Sequence, residues 1–254
     1  MCHLGNESEL MERACTHVSH ASDPAATPDR PRKHRNPVWA SIREILIIVI
    51  AALVISLVVK TFFFRAFYIP SGSMEQTLQV DDRIFANLMA PGLFDLERGD
   101  VVVFRDELGW LPPVAAAPSN PVRDFFTFVG LSPDPSNQHL IKRVIGMPGD
   151  TVECCSANGK LTVNGVEITE SYIYPGDNPS DIKFSKLVPE GKVWVMGDHR
   201  GASADSRYHE DIQDGFVDIS SIEGRAAVIS WPLNRIGGIS GHDEVFANVP
   251  AAVK

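Results

Sequence analysis

From Ile45 to Val59 the chain runs fifteen residues without a charge, and Lys60 and Thr61 then lead into Phe62-Phe63-Phe64. At about 1.5 Å of rise per residue this makes about 30 Å of helix, the thickness of a bilayer's hydrocarbon core. A helix this apolar is a buried core helix, a cleavable secretory signal or a membrane span. A signal closes on small residues of the A-x-A type, whereas this segment runs into Phe62-Phe63-Phe64-Arg65-Ala66-Phe67 behind a tail far longer than a usual signal's first region. The reading that follows is an uncleaved transmembrane anchor over residues 37–64. Lys60 is placed to snorkel near one end, Phe67 and Tyr68 extend the aromatic character at that interface, and Trp39 lies near the other.

Charge sets the expected direction of insertion. Arg30, Arg32, Lys33, Arg35 and Arg43 precede the anchor and only Lys60 and Arg65 follow it closely, so the positive-inside bias keeps the N-terminus in the cytoplasm. Residues 1–36, with no helical or strand period, read as a disordered cytoplasmic tail. No second stretch of spanning length follows, so the expectation is a single pass through the cytoplasmic membrane, with the lipid bilayer as a partner and residues 65–254 as one extracytoplasmic domain. The 254 residues carry 23 Lys+Arg against 32 Asp+Glu, and the part after Arg65 carries 15 against 26, which disfavours nucleic acid as a partner. The four cysteines, Cys2, Cys15, Cys154 and Cys155, make no zinc-finger spacing, and no metal is expected. Cys154 and Cys155 are compatible with a vicinal disulfide, pairing with another thiol, or two free thiols.

After the anchor, apolar residues fall in short runs without a 3.6-residue period: Val101 to Phe104, Leu140 to Ile145, Leu161 to Val163, Val193 to Met196 and Ala226 to Trp231. These read as strands. Asn158-Gly159 and Asn164-Gly165 read as hairpin turns within a module at 151–192. Residues 105–138 contain Pro112-Pro113, Pro118, Pro121, Pro133 and Pro135, the mark of a surface excursion between two core strands. Residues 239–254 are weakly patterned and read as a peripheral end.

Hydrolytic chemistry needs an activated nucleophile. In Tyr68-Ile69-Pro70-Ser71-Gly72-Ser73-Met74, Pro70 and Gly72 would hold the hydroxyls of Ser71 and Ser73 on a tight, non-helical backbone. Alone, Ser-Gly-Ser is ordinary turn material. None of His139, His199, His209 and His242 sits in a nucleophile-elbow or triad signature. Lys142 lies among apolar residues in Leu140-Ile141-Lys142-Arg143-Val144-Ile145, and strand alternation puts it on the face of Leu140 and Val144. If that face is buried, desolvation lowers its pKa and makes a neutral amine able to accept a serine proton; otherwise it is a charge on a strand edge.

Four segments stand in order: Pro70-Ser71-Gly72-Ser73-Met74-Glu75-Gln76-Thr77-Leu78, Gly99-Asp100-Val101-Val102-Val103-Phe104, Ile141-Lys142-Arg143-Val144-Ile145-Gly146-Met147-Pro148-Gly149-Asp150, and Gly197-Asp198-His199-Arg200-Gly201-Ala202-Ser203-Ala204-Asp205-Ser206-Arg207. Together with Trp231-Pro232-Leu233-Asn234-Arg235 they resemble bacterial type I signal peptidases over roughly Phe64 to Ile236. The resemblance implies a mainly β fold: a signal-peptidase-like barrel or sheet catalytic domain with an inserted β-hairpin module, preceded by one transmembrane α-helix. It implies a Ser-Lys dyad without cofactor, Ser73 as nucleophile and Lys142 as general base, with the Ser73 backbone N–H and the Ser71 hydroxyl as the oxyanion hole. It implies that Ser203 hydrogen-bonds and orients the lysine, that Asp205 and Arg207 form a supporting ion pair, and that Ile69, Pro70, Met74, Leu78 and Ile141 line shallow pockets for small substrate residues. Its partners would be signal peptides of exported preproteins and the secretion translocon. The family form Gly-Asp-Asn-Arg-Asp-Asn-Ser is altered here at His199, Gly201 and Ala202. The competing reading is a catalytically silent, membrane-anchored β-domain that binds exported chains. A self-cleaving Ser-Lys regulator of repressor type would need a DNA-binding module that the tail does not offer.

Overall fold

The computed structural model describes residues 37–107, 109–112 and 138–252. The tail expected at 1–36 and most of the Pro-rich excursion lie outside the described residues, as do the side chains of Trp39 and Lys60.

Helix α1 (Pro37–Phe62) opens the described chain, and its stretch Ser41–Val59 is long and apolar enough to cross a membrane. None of that stretch is buried, which sets aside the reading of a core helix. The helix ends earlier than the sequence suggested, because Phe64 already belongs to strand β1 (Phe64–Tyr68) and pairs with Asn87 of β2 (Arg83–Asn87). Aromatic side chains suit a pleated surface as well as an interface, so the Phe run reads as anchor while the backbone beneath it changes to strand.

The remaining strands are β3 (Val101–Arg105), β4 (His139–Gly146), β5 (Thr151–Cys154), β6 (Thr162–Val163), β7 (Val166–Glu167), β8 (Phe184–Leu187), β9 (Lys192–Met196), β10 (Val217–Asp218), β11 (Ile222–Trp231) and β12 (Gly237–Gly238). An eight-stranded sheet runs β1-β2-β11-β3-β4-β9-β10 with β12 beside β11, and a four-stranded sheet runs β7-β6-β5-β8; every pairing is antiparallel. The architecture is mainly β, as the apolar runs indicated. The smaller sheet occupies the sequence between β4 and β9, which are themselves neighbours in the larger one. Asn164-Gly165 closes the β6–β7 hairpin with both residues at positive φ, 53° and 77°, the geometry that selects this dipeptide.

Three packed clusters hold the domain. Val102, Phe104, Leu140, Val144 and Val195 fill one side of the larger sheet, and Ile69, Met74, Leu78, Val101, Val103 and Ile141 fill the other. Strand β4 is therefore buried on both faces, with Leu140 and Val144 in one cluster and Ile141 in the other. The third cluster gathers the smaller sheet around Trp194, and Phe246 and Val249 enter it from the C-terminal end. That end is thus not peripheral: helix α2 (Asp243–Phe246) is a single turn, too short to leave a period in the sequence, yet it delivers a core residue.

The excursion after β3 begins in an ordered way. The Asp106 carboxylate accepts from the backbone N–H groups of Trp110 and Leu111, and Trp110 stacks on His209 with ring centroids 4.3 Å apart. Asp106 N–H donates to Gln138 O, so the chain leaves and returns at neighbouring points of the β3–β4 pair.

Candidate active site

Strand β1 delivers the chain to a tight 3₁₀ turn, Gly72–Met74, entered from Ser71 in extended conformation. Asp81 N–H donates to Ile69 O and Ile69 N–H to Asp82 O, closing the loop that carries the turn. The Met74 side chain is wholly buried and pins it to the core, while Leu78 and Thr77 donate their backbone N–H groups to Met74 O. Arg235, from the Trp231-to-Arg235 segment, donates to both oxygens of Asp82 and to Thr77 O, so the last sequence motif braces the first.

The turn brings Ser73 to Lys142 of β4. Lys142 Nζ donates to Ser73 Oγ at 2.9 Å and to Ile141 O at 3.0 Å, and it is only 3% exposed. Burial pushes the Lys142 pKa down to about 8, against the opposing pull of Asp205 and Asp198. Desolvation of the charged amine dominates, and among the described residues no carboxylate forms an ion pair with it. The Ser71 hydroxyl, on an exposed residue, lies 3.5 Å from the Ser73 hydroxyl.

Below these groups runs Gly197 to Arg207. Gly197 N–H donates to Asp205 Oδ2 at 2.9 Å, and the wholly buried Asp205 holds Arg207 through two hydrogen bonds of 2.8 and 2.9 Å. Ser203 is buried nearby, but the hydrogen bond to Lys142 implied by the family resemblance is not made: among the described residues the Ser203 hydroxyl has no hydrogen-bond partner. The lysine satisfies itself on Ser73 and its own strand instead. A Cβ at position 197 would fall 2.3 Å from Ser203 Oγ and 2.5 Å from Ser73 O, so only glycine lets the two segments approach.

The expected pocket residues divide by accessibility. Ile69, Met74, Leu78 and Ile141 are all buried in one cluster, as a floor under the turn, whereas Pro70 is exposed at its rim.

Sequence reasoning missed the buried charges around this floor. Arg143, next to Lys142 and wholly buried, donates to both oxygens of Asp198 at 2.8 and 2.7 Å, to Gly99 O and Ser240 O, and to Thr77 Oγ1. Burial opposes its charge, but Asp198 more than compensates and keeps it protonated. Thr77 Oγ1 in turn donates to Asp198, fastening the segment after the turn to the loop below it. Arg200 donates to Glu170 of the smaller module at 2.5 and 3.1 Å and to Gly197 O. Spacing along the chain carries no sign of these pairings, since the partners lie 55 and 30 residues apart. The Gly-Asp pairs of the middle motifs are turn devices: Asp100 accepts from Glu97 N–H, and Asp150 accepts from Met147 N–H and pairs with Arg98. Cys154 and Cys155 are joined as a vicinal disulfide in the smaller module. Among the described residues no cluster of side chains could hold a metal ion.

A buried amine beside a serine hydroxyl, with further donors at hand, is an arrangement able to activate that hydroxyl as a nucleophile. Comparison with known proteins shows the family to which the chain belongs. Residues 42–231 match the family described as "Signal peptidase, peptidase S26". The "Probable signal peptidase I" of Mycobacterium leprae is 34% identical, covering 94% of this chain and 89% of that one. "Signal peptidase I" of Mycobacterium tuberculosis is 35% identical over 86% of this chain and 81% of its own, and that of Leptolyngbya laminosa 32% over 86% and 94%. A crystal structure of a signal peptidase I from Enterococcus faecalis is 27% identical, covering 51% of this chain and 95% of that one with a TM-score of 0.33.

Proposed function

Because the chain belongs to the signal peptidase family, peptidase S26, we propose that it is a membrane-anchored serine endopeptidase that removes signal peptides from exported preproteins with a Ser73–Lys142 dyad. The observation that carries this reading is the 2.9 Å contact between Ser73 Oγ and a buried lysine amine whose pKa is pushed down to about 8.

In its neutral form Lys142 takes the Ser73 proton as Oγ adds to the scissile carbonyl carbon. The oxyanion that develops is met by the Ser73 backbone N–H and the Ser71 hydroxyl, each donor contributing about 3 kcal/mol to transition-state stabilisation. The protonated lysine then gives its proton to the departing amine, which leaves the signal peptide esterified to Ser73. Water attacks that ester, Lys142 takes the water's proton, and Ser73 is regenerated. Asp205 and Arg207 support this chemistry by holding Gly197, and through it the floor against which Ser73 sits. The unpartnered Ser203 hydroxyl is the group free to turn to Lys142 when the lysine gives up Ser73. No cofactor takes part.

The substrate lies beside the turn as an extended strand. Pro70 is the exposed apolar residue at the rim, and Ile141, 8% exposed, together with Ile69, Met74 and Leu78 forms the base that admits only small side chains next to the cut. Helix α1 crosses the cytoplasmic membrane with its N-terminus inside, so that the catalytic domain meets preproteins as they leave the secretion translocon.

The test is processing of a preprotein by the full chain in detergent or lipid, beside Ser73→Ala and Lys142→Met. Both variants should leave the preprotein uncut while remaining folded. Full processing by either would sink the dyad, and uncut preprotein with the unaltered chain would favour the reading of a silent β-domain that binds exported chains.

A further inference from the structure

His199, one of the three residues at which this chain departs from the family form in its fourth segment, sits between the nucleophile turn and the smaller module. Its backbone N–H donates to Ser73 O at 3.1 Å. Its ring stacks on Tyr174 of the smaller module, centroids 4.0 Å apart and planes 15° from parallel. Its Nδ1 faces two acceptors, Glu75 Oε2 at 3.1 Å and Gly72 O at 3.3 Å, and so acts as the donor in these contacts. On the far side, Nε2 lies 3.9 Å from the Asp177 carboxylate, which accepts from Gly201 N–H.

Glu75 is the other half of the arrangement. Its backbone N–H closes the 3₁₀ turn on Gly72 O, and its carboxylate folds back over Gly72 so closely that a Cβ there would come within 3.0 Å of Glu75 Cδ and Oε1. Gly72 is the residue between Ser71 and Ser73, and its carbonyl orientation governs the direction of the Ser73 N–H.

We propose that His199 and Glu75 form a latch that fixes the Ser71-Gly72-Ser73 turn in the geometry needed for reaction, making both positioning residues. The inference rests on the Ser73–Lys142 reading above. His199 holds Glu75, Glu75 covers Gly72, and Gly72 sets the relative placement of the nucleophile and its two oxyanion donors. The latch touches neither the substrate nor the lysine, so its loss falls on turnover. Displacing a reacting group by about 1 Å can cost about 100-fold in rate.

The experiment compares preprotein processing by the full chain with His199→Phe, His199→Asn, Glu75→Ala and the Glu75→Ala/His199→Phe double variant. His199→Phe keeps a ring on Tyr174 and loses the donor; His199→Asn loses the ring but retains an N–H donor in the place of Nδ1. The expected result is a fall in kcat of about 10- to 100-fold for His199→Phe and Glu75→Ala, with KM within about threefold, and a double variant no worse than either single one. His199→Asn should recover most of the lost kcat. Wild-type kcat in His199→Phe, or effects of the two single changes that multiply in the double variant, overturns the latch. Ser73→Ala run in parallel separates the two readings: cleavage by that variant condemns the dyad whatever His199 does, whereas an inert Ser73→Ala beside a fully active Glu75→Ala condemns the latch alone. Glu75 is about one-third exposed and its side chain is not in the core, so Glu75→Ala remains informative if His199→Phe fails to fold.

Discussion

Lys142 and Ser73 meet at 2.9 Å across 69 residues of sequence, and the lysine does so with almost no access to water. An amine so placed loses hydration whenever it is charged, and the contact favours the state in which it can exchange a proton with the hydroxyl.

The first prediction concerns pH. On the proposed mechanism Lys142 acts in its neutral form, and burial pushes its pKa down to about 8, so kcat/KM for preprotein cleavage should climb about tenfold per pH unit below that value and level off above it. A rate profile flat between pH 6 and pH 9 would remove the lysine from the role of base.

Stability should show the same displacement, also rising with pH but over a higher interval. A lysine whose folded pKa is depressed from 10.5 to about 8 makes the native state bind fewer protons than the unfolded chain in that interval, so stability rises with pH across it. Below about pH 8 the charged amine costs the fold on the order of 3 kcal/mol. Lys142→Met should therefore melt above the unaltered chain at pH 7, and the gap should close as pH rises from 8 to 10.5. An equal gap at pH 7 and pH 10.5 in thermal melts would contradict it.

Arg143 and Asp198 give a prediction about the fold alone. Both are wholly buried, so removing either leaves the other charged and unpaired, a cost of about 3–5 kcal/mol. Arg143→Met and Asp198→Leu should each lower the denaturation midpoint strongly, and the double change should cost less than the two losses added together. Additive losses in urea titrations would mean that the pair is not coupled.

Gly197 offers a steric test. The methyl group of Gly197→Ala has no room between Ser203 and the Ser73 carbonyl, and the turn must move to admit it. Processing should fall by about 100-fold or more in kcat while helix α1 and the smaller module keep their circular-dichroism signal. Unchanged kcat would show that the two segments tolerate separation.

Much of this was legible in the chain because the residues concerned repeat a local signal. Strands β3, β4, β9 and β11 are continuous apolar runs, and Asn164-Gly165 names its own turn. Strand β2 leaves no clear signal, because in Arg83 to Asn87 the buried Ile84 and Ala86 alternate with an exposed Phe85, which hides the polar face that alternation needs. Ser73 and Lys142 were found through their motifs, and burial of β4 on both faces supplies the desolvation that alternation left conditional. Arg143 escaped notice for a different reason: a charge in a strand reads as solvent-facing until its partner is known, and Asp198 is brought to it only when β9 docks on β4. The pairings of Glu170 with Arg200 and of His199 with Glu75 leave no mark in the sequence, since the partners lie 30 and 124 residues apart.

The smaller module leaves the larger sheet after Gly146 and returns at Lys192, and its two connecting segments bond to each other: Gly149 N–H to Val188 O and Val188 N–H to Asp150 O. A stalk closed in this way lets the hairpin tips beyond it lengthen or shorten at little cost, while the module's core stays packed on Trp194 of β9. That latitude is conditional on the module's grips on the neighbouring loop, among them Glu170 and Pro179 O on Arg200, Tyr174 on His199 and on Asp198 O, and Asp177 on Gly201. The outer surface of the module is thus free to vary, while the side chains that grip the neighbouring loop are tied to residues 198 to 201.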